Sequence, residues 1–247
     1  MPHATNRGQR IHYTVEGSGP LVVLQHGFLS SGNESWMQSG IVNALSDRFQ
    51  VAYVDSLGHG FSDKPADPAL YSQEQRAADL VAVIDDLDTD RAHLIGYSMG
   101  GWMSVGVAKY HPERLASLTL GGWDLVKGGE TARPAGFETD VTFEQVIGAL
   151  RSMAPALVEW VSPEVEPGLR ACWARLTELD GAEKAVLSVE VPKLLWNGRD
   201  DPYHDPMKAF SVEHGLRFLS TPGDHISAVQ VHGAEAGRGL RDFLLSQ

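Results

Sequence analysis

One serine of this sequence stands where a chain can build a nucleophile. Residues 96–100 read Gly-Tyr-Ser-Met-Gly, and the serine is Ser98. The apolar residues 92–95 predict a β-strand before it, and residues 102–110 predict a helix after it. A serine on the tight turn between a strand and a helix is a nucleophile elbow, in which a Cβ atom at either flanking glycine would collide with the neighbouring elements. We therefore predict that Ser98 is a nucleophile.

The same turn predicts a place for a negatively charged oxygen. The new helix begins beside Ser98, and its free backbone N–H groups and positive dipole end favour an oxyanion. An oxyanion hole of this kind needs two donors. The N–H of Met99 directly follows the nucleophile. The N–H of Phe28 lies on the loop after the first central strand, where the small Gly27 allows a close approach. We predict that these two N–H groups form the hole.

A neutral hydroxyl is a weak nucleophile, so the predicted site requires a general base. In open α/β sheets such groups collect on loops at the carboxyl ends of strands. Of the ten histidines, His225 is the best placed, because it follows a predicted strand at residues 216–219 within a Gly-Asp-His sequence. His26 and His59 also lie on strand-end loops, but earlier in the chain, where roles in stabilising turns fit them better. We predict that His225 is the base.

Three aspartates are candidates for the acid that orients this base. Asp201 and the adjacent Asp200 follow a predicted strand at residues 193–196, and Asp124 follows an earlier one. We prefer Asp201, and the order Ser98, Asp201, His225 is the chain order expected for this elbow. Asp200 and Asp124 remain the alternatives. Two prolines interrupt the acidic turn that contains Asp201, so we predict a solvated turn there, with no metal and no cofactor.

The order of the predicted elements indicates the fold. The continuous apolar run at residues 21–24 predicts a strand buried on both faces, and residues 51–55 predict a second buried strand. Helices alternate with such strands through short connections. This pattern predicts an α/β fold with a doubly wound, mostly parallel sheet. From residue 127 onward the strands stop, which predicts a helical cap at residues 127–189 inserted into a core of residues 1–126 and 190–247. Core helices are predicted at residues 35–45, 73–87 and 234–245.

Composition limits the partners of the chain. Its 247 residues are enough for one large α/β domain. The formal net charge of −12 argues against nucleic acid or an anionic membrane as the main partner. The single Cys172 cannot form an internal disulfide, the N-terminus has no apolar core of a signal peptide, and no apolar run is long enough to cross a bilayer. We therefore expect a cytoplasmic protein that acts on a small molecule.

Together these motifs resemble the α/β-hydrolase family. Five of them occur in the family's order, and the resemblance covers nearly the whole chain. They lie at residues 26–28, 55–63, 96–101, 198–202 and 223–225. In relatives the acid usually stands three places after the glycine of the fourth motif, which implies Asp201 rather than Asp200. The resemblance also implies that the helical insertion covers the pocket and sets substrate choice.

Departures from family patterns narrow the expected activity. Ser98 stands where haloalkane dehalogenases and epoxide hydrolases carry aspartate, which argues against those activities. The loop at residues 27–32 lacks the Gly-Pro-Gly of the ring-cleavage C–C hydrolases. Trp102 stands where the menaquinone-pathway lyase of this fold carries an arginine, which weakens the expectation of that lyase activity.

We expect a cofactor-independent serine hydrolase that cleaves small carboxylic esters through an acyl-enzyme. A lactonase, a C–C bond hydrolase or a perhydrolase would use the same triad, and a ligand-binding receptor on the same fold is an alternative of another class. The large apolar rings of four tryptophans are candidates for the substrate pocket. These tryptophans are Trp36, Trp123, Trp160 and Trp173.

Overall fold

An eight-stranded sheet with the order β1-β2-β4-β3-β5-β6-β7-β8 runs through the molecule. The structure is a computed structural model that describes residues 2–129, 141–153, 155–176 and 180–247. The first two strands pair antiparallel, β2 pairs antiparallel with β4, and all remaining pairs are parallel. The strands are β1 (His3–Asn6), β2 (Gln9–Glu16), β3 (Leu21–Gln25), β4 (Gln50–Val54), β5 (Ala92–Tyr97), β6 (Leu115–Gly121), β7 (Lys193–Gly198) and β8 (Arg217–Thr221).

Helices cover both faces of this sheet. They are α1 (Ile41–Leu45), α2 (Gln73–Asp86), α3 (Met99–Tyr110), α4 (Phe143–Met153), α5 (Glu166–Trp173), α6 (Ala182–Ser188), α7 (His204–Glu213), α8 (Ser227–Gln230) and α9 (Gly233–Leu245). Strands and helices alternate through the first half of the chain, as expected for parallel strands joined by crossovers. The prediction of a doubly wound, mostly parallel α/β fold is confirmed. In the described ranges, every helix is too short or too polar to cross a membrane.

The buried side chains of the central strands divide between the two faces. Along β3, Leu21 and Val23 belong to one apolar cluster, and Val22 and Leu24 belong to the other. Successive side chains of a strand point to opposite faces, so this alternation is the direct consequence of a sheet covered on both sides. The first cluster includes residues of α2 and α3, and the second includes residues of α1 and α9. The sheet is therefore rigidly held at its centre.

The predicted helix at residues 35–45 is wrong as a single element. A short π-helical turn spans Asn33–Met37, and α1 begins only at Ile41. Between them Gly40 has a φ of 85°, in the left-handed region that glycine adopts without a steric cost. A right-handed helix cannot continue through that conformation, so the chain turns at Gly40 before α1 starts.

The described residues between 141 and 188 form helices and turns. A third apolar cluster joins Phe143 and Ile147 of α4 and Leu169 of α5 to Leu29 of the core. This cluster connects the stretch predicted as a cap to the loop after β3. Part of the predicted cap lies outside the described residues, and its boundaries at 127 and 189 stay a prediction.

Candidate active site

Ser98 occupies a strained turn between β5 and α3. Its φ of 58° and ψ of −119° are unusual for a residue with a side chain, and such strain is held only where the surroundings fix it. The Ser98 N–H donates to the Gly121 carbonyl at 2.8 Å. A Cβ atom at Gly96 would overlap with the carbonyl of Gly100, and one at Gly100 would overlap with that of Gln25. The glycines are therefore required because strand, turn and helix approach one another without room for a side chain.

Ser98, His225 and Asp201 form one hydrogen-bonded chain. The Ser98 Oγ lies 2.9 Å from Nε2 of His225, and Nδ1 of His225 lies 2.8 Å from Oδ2 of Asp201. The carboxylate accepts from Nδ1–H, so Nε2 is free to accept the hydroxyl proton. The Asp201 side chain is fully buried, whereas 33% of the His225 side chain is exposed. This geometry allows proton transfer from the hydroxyl to the imidazole.

The carboxylate of Asp201 has two further donors. The Tyr203 N–H donates to Oδ1 at 3.0 Å, and the Tyr97 hydroxyl donates to Oδ2 at 3.3 Å. Burial and the negative charge of Asp201 raise the pKa of Tyr97 well above its ordinary value, so this hydroxyl remains a donor. Sequence reasoning missed Tyr97. Its position at the end of β5, directly before the nucleophile, was the available signal.

The other two candidate acids have different surroundings. Asp124 is buried, and its Oδ1 accepts from the backbone N–H groups of Val126 and Lys127 at 2.8 and 2.9 Å, closing its own turn. Asp200 is exposed, while the next residue points inward to the histidine. Of the three aspartates, the structure brings Asp201 to the base.

The two predicted oxyanion donors lie on either side of Ser98. Met99 is the first residue of α3, and Phe28 lies on the loop after β3. This loop approaches the nucleophile so closely that a Cβ atom at Gly27 would lie 3.1 Å from the Ser98 Cβ. Leu29 on the same loop has a φ of 62°, so the backbone is held in an uncommon conformation here.

Two buried, neutral histidines brace this loop. Nε2 of His26 accepts from the Ser56 N–H at 3.0 Å and its Nδ1 donates to the Gly27 carbonyl at 2.7 Å. Nε2 of His59 accepts from the Leu29 N–H at 3.2 Å. Burial lowers the pKa of His26 to about 4 and that of His59 well below its ordinary value. Both rings therefore stay uncharged at neutral pH, and their hydrogen bonds hold the backbone of the loop in place.

A small cavity opens at the nucleophile. It has a volume of about 160 Å³, and both Ser98 and His225 line it. Its apolar walls come from the core and from the stretch predicted as a cap: Phe28, Leu29, Leu150, Leu157, Ile226 and Val229. A cavity of roughly 150 Å³ accommodates a benzene-sized molecule. The described lining therefore leaves space for a small group beside Ser98.

The four candidate pocket tryptophans lie outside the described lining of this cavity. Trp36 is fully buried in the apolar cluster that contains α1 and α9, because its turn packs directly on the sheet. The prediction that Trp36 lines the pocket is therefore corrected. Trp123 is buried with its ring centroid 6.5 Å from that of Tyr203. The ring of Trp173 packs on Phe28 with 5.2 Å between centroids, and that of Trp160 packs on His59 with 6.1 Å between centroids.

A second aspartate–histidine pair lies near the site. Nδ1 of His12 is 2.9 Å from Oδ2 of Asp55, and both residues line a groove of about 740 Å³. Ser30 lines both this groove and the Ser98 cavity. Asp55 also accepts from the N–H groups of Gly32 and Phe61 at 2.8 and 2.9 Å. This pair therefore holds two loops together. In the described part of the chain, no group of His, Cys, Asp and Glu side chains is arranged to bind a metal ion.

Comparison with known proteins identifies the family. Residues 20–152 match the family model described as alpha/beta hydrolase fold. The chain belongs to the α/β-hydrolase family, and the resemblance inferred from its motifs is confirmed.

Relatives with known names differ in their reactions. The chain is 35% identical over 120 residues to a cis-3-alkyl-4-alkyloxetan-2-one decarboxylase of Shewanella oneidensis, over 47% of this chain and 36% of that protein. It is 34% identical over 114 residues to a putative 2-succinyl-6-hydroxy-2,4-cyclohexadiene-1-carboxylate synthase of Bacillus subtilis, over 44% and 40%. It is 35% identical over 119 residues to haloalkane dehalogenase 2 of Mycobacterium tuberculosis, over 47% and 39%. The matches thus span well under half the length of these relatives.

Solved structures share the fold over the whole chain. The enol-lactonase from Burkholderia xenovorans LB400 superposes with a TM-score of 0.77 at 24% identity, covering 99% of this chain and 100% of that one. A thermophilic esterase from Thermogutta terrifontis gives a TM-score of 0.76 at 20% identity, covering 99% and 98%. At these identities the likeness establishes the fold, and the reaction must be argued from the site.

Proposed function

We propose that this chain is a cofactor-independent serine hydrolase that cleaves small carboxylic esters. The observation that carries the proposal is the hydrogen-bonded chain from Asp201 through His225 to Ser98, placed at a small apolar cavity. A hydroxyl, an imidazole and a buried carboxylate in this order are the parts of a Ser-His-Asp triad.

The proposed reaction forms and then hydrolyses an acyl-enzyme. The Ser98 Oγ forms a bond to the acyl carbon while its proton passes to Nε2 of His225, and the carbonyl electron pair moves to the oxygen. The N–H groups of Phe28 and Met99 stabilise that oxyanion. The carbon–oxygen bond to the alcohol then breaks, and the alcohol leaves with the proton from Nε2. Water attacks the acyl-enzyme with His225 again as base, releasing the acid and restoring Ser98.

The nucleophile type favours acyl substrates over alkyl halides. Displacement of a halide by a serine hydroxyl would leave an ether on the enzyme, and water does not cleave an ether at this triad. An acyl group on Ser98 is an ester, which the same His225 can hydrolyse. Although one relative is a haloalkane dehalogenase, the chemistry of position 98 therefore supports an acyl-transfer reaction.

The size of the cavity supports a short acyl group. Leu150 and Leu157 close it from the stretch predicted as a cap. We propose that this stretch sets the acyl length, because the remaining walls belong to the rigid core. Cyclic esters of similar size would be attacked at the same carbon, so small lactones belong to the proposed substrate class.

The test is the hydrolysis of p-nitrophenyl acetate and butyrate by the wild type, Ser98→Ala and the exposed control Ser188→Ala. We expect the control to match the wild type and Ser98→Ala to lose about four or more orders of magnitude in kcat. Equal rates in the wild type and Ser98→Ala would contradict the proposal. A wild type that binds esters, shown by a thermal shift, without a second turnover would indicate a receptor instead.

A further inference from the structure

A guanidinium is buried without close charge compensation beneath the nucleophile elbow. Arg76 of α2 is fully inaccessible to solvent. Its Nη1 lies 3.2 Å from Sγ of Cys172, and its Nη2 lies 3.2 Å from Sδ of Met103 and 3.9 Å from Sδ of Met99. The guanidinium carbon is 5.4 Å from the centroid of the Tyr71 ring. These partners are uncharged, and three of them are sulfur atoms.

The nearest carboxylate is shared with another arginine. Oδ1 of Asp79 accepts from Nη2 of Arg7 at 2.9 Å and from the Asn6 amide at 2.8 Å, whereas its Oδ2 lies 4.0 Å from Nε of Arg76. Neither that Nε nor that Oδ2 has a hydrogen-bond partner among the described residues. Burial raises the pKa of Asp79 to about 6, against the opposing effect of both arginines. Two cations thus share one carboxylate, and the group as a whole is positive.

This charge lies next to the predicted oxyanion hole. Met99, which Arg76 contacts, supplies one of the two proposed N–H donors, and Cys172 contacts Met99 again at 3.6 Å between sulfur atoms. The charge also acts on the opposite donor loop. Burial is the main cause of the lowered pKa of His26 and of His59, the two rings that brace Phe28. The Arg76 charge lowers both further, after the opposing effects of Gly27 and Asp55 on His26 and after the effect of His26 on His59. The Arg76 charge thus acts on Met99 directly and on the loop that carries Phe28 through these rings.

Building on the proposed function, we propose that Arg76 is a positioning residue for the oxyanion hole. It holds Met99 in place through the sulfur contact and adds positive potential where the tetrahedral intermediate becomes negative. A buried charge is little screened by salt or water, so it acts over several ångströms. Because Arg76 is fixed before the reaction, no reorganisation accompanies the developing charge.

The main variant is Arg76→Met, with Arg76→Lys as a second variant that keeps a cationic type of side chain. Methionine suits a site already lined by two methionines and a cysteine, and Arg7 still pairs with Asp79, so that carboxylate is not left as an unpaired buried charge. We expect Arg76→Met to keep its Tm and its KM for p-nitrophenyl acetate while kcat falls about tenfold. Arg76→Lys should have a kcat between those of the wild type and Arg76→Met, because burial lowers the pKa of a lysine and one ammonium cannot make both sets of guanidinium contacts.

Two further readouts report on the oxyanion itself. A boronic acid forms a tetrahedral anion on Ser98, and Arg76→Met should bind it about tenfold more weakly. Its rate of labelling by a fluorophosphonate should fall by a similar factor. A purely structural arginine would move Tm and KM and leave the boronic acid affinity unchanged. Wild-type values for kcat and boronic acid affinity in Arg76→Met would overturn the inference.

Asp79→Asn changes the net charge of the same buried group in the opposite direction. If Arg76→Met does not fold, this variant tests the proposed role of Arg76. Removing the carboxylate makes the buried group more positive, so kcat and boronic acid affinity should hold or rise. A loss of both in folded Asp79→Asn would overturn the inference. A wild type that neither turns over esters nor reacts with the fluorophosphonate would instead overturn the proposed function.

Discussion

Two aspartate–histidine pairs among the described residues have nearly identical geometry, and their aspartates follow strands of the parallel sheet. Nδ1 of His225 lies 2.8 Å from Asp201, and Nδ1 of His12 lies 2.9 Å from Asp55. Both aspartates follow parallel strands, so both pairs lie at the same edge of the sheet. The side chain of His225 is 33% exposed and that of His12 is 11% exposed. Nothing in the pairs themselves explains why one should be catalytic.

The difference lies in the hydroxyl that each pair meets. At His225 the second ring nitrogen reaches Ser98, whose strained turn presents the hydroxyl to the cavity. Near His12 the hydroxyl of Ser62 donates to the Asp55 carbonyl at 2.5 Å and accepts from the His12 N–H at 2.8 Å. One serine is therefore held ready for proton transfer, and the other is used by the backbone. A histidine paired with an acid becomes a base only where a free hydroxyl is placed on its other nitrogen.

Replacing the histidine of each pair by alanine should give the largest difference in kcat between the two pairs. We expect His225→Ala to lower kcat on p-nitrophenyl acetate by about four or more orders of magnitude, because no other base reaches Ser98 among the described contacts. Its Tm should change little, since a third of this side chain is exposed. The matched variant His12→Ala should lower Tm while its folded fraction keeps the wild-type kcat. Comparable losses of kcat in the two variants would contradict the assignment of a catalytic role to His225 and a structural role to His12.

The acid of the triad gives the next largest effect. Asp201→Asn keeps the shape of the side chain but offers an amide to Nδ1, which favours the wrong tautomer of His225. We expect kcat to fall by about three to four orders of magnitude at neutral pH. Steady-state kinetics with a circular dichroism control checks this. A variant that retains a tenth of the wild-type kcat would show that another group orients the base.

Asp55→Asn should act on stability instead. It weakens the bonds from the Gly32 and Phe61 N–H groups and from His12, so we expect the free energy of unfolding to fall by about 2–4 kcal/mol. Urea unfolding at neutral pH measures the loss, with Asp47→Asn as an exposed control. An unchanged unfolding free energy together with a large loss of kcat would contradict the structural role of this pair.

The lowered pKa of Asp55 predicts how the difference in unfolding free energy between the wild type and Asp55→Asn depends on pH. Burial acts to raise the pKa of Asp55, but the hydrogen bond from Phe61, the positive charge that His26 gains in acid, and the hydrogen bonds from Gly32 and His12 outweigh it and hold this pKa below its ordinary value. A carboxyl with a lowered folded pKa stabilises fully above its unfolded pKa and loses that effect as pH falls through the folded value. The gap in unfolding free energy between wild type and Asp55→Asn should therefore be constant from neutral pH to about pH 5 and shrink only below about pH 4. A gap that closes near pH 6 would contradict this.

The smallest effect is expected at Tyr97. Its hydroxyl donates the longest of the three described hydrogen bonds to the Asp201 carboxylate, at 3.3 Å. Tyr97→Phe removes that donor and leaves the ring packed, so we expect kcat to fall only about two- to fivefold. The comparison of kcat and Tm between this variant and the wild type checks it. A loss as large as that of Asp201→Asn would place Tyr97 much nearer to the chemistry.

The parts of the site that sequence reasoning located are those fixed by local rules. The elbow at Ser98 follows from two glycines between a strand and a helix, and parallel strands put Asp201 and His225 at the same edge. Asp200 and Asp201 are adjacent, so their side chains point in different directions. The spacing of the acid after the glycine of the fourth motif in relatives implied that Asp201 faces the histidine.

Other features depend on packing that the chain order does not reveal. A tryptophan such as Trp36 suits a pocket and a core equally well, and only the direction of its turn on the sheet decides between them. The contact of Tyr97 with Asp201 joins residues 104 positions apart. Leu150 and Leu157 line the cavity because the stretch predicted as a cap folds back over the loop after β3, and no local pattern indicates that direction.

The most direct test of the account is to find which serine reacts. The 247-residue chain is treated with a fluorophosphonate, digested, and mapped by mass spectrometry beside Ser98→Ala and His225→Ala. We predict a single modification at Ser98 that is absent from Ser98→Ala and forms far more slowly in His225→Ala. Modification of Ser62, or labelling that persists in Ser98→Ala, would contradict the account.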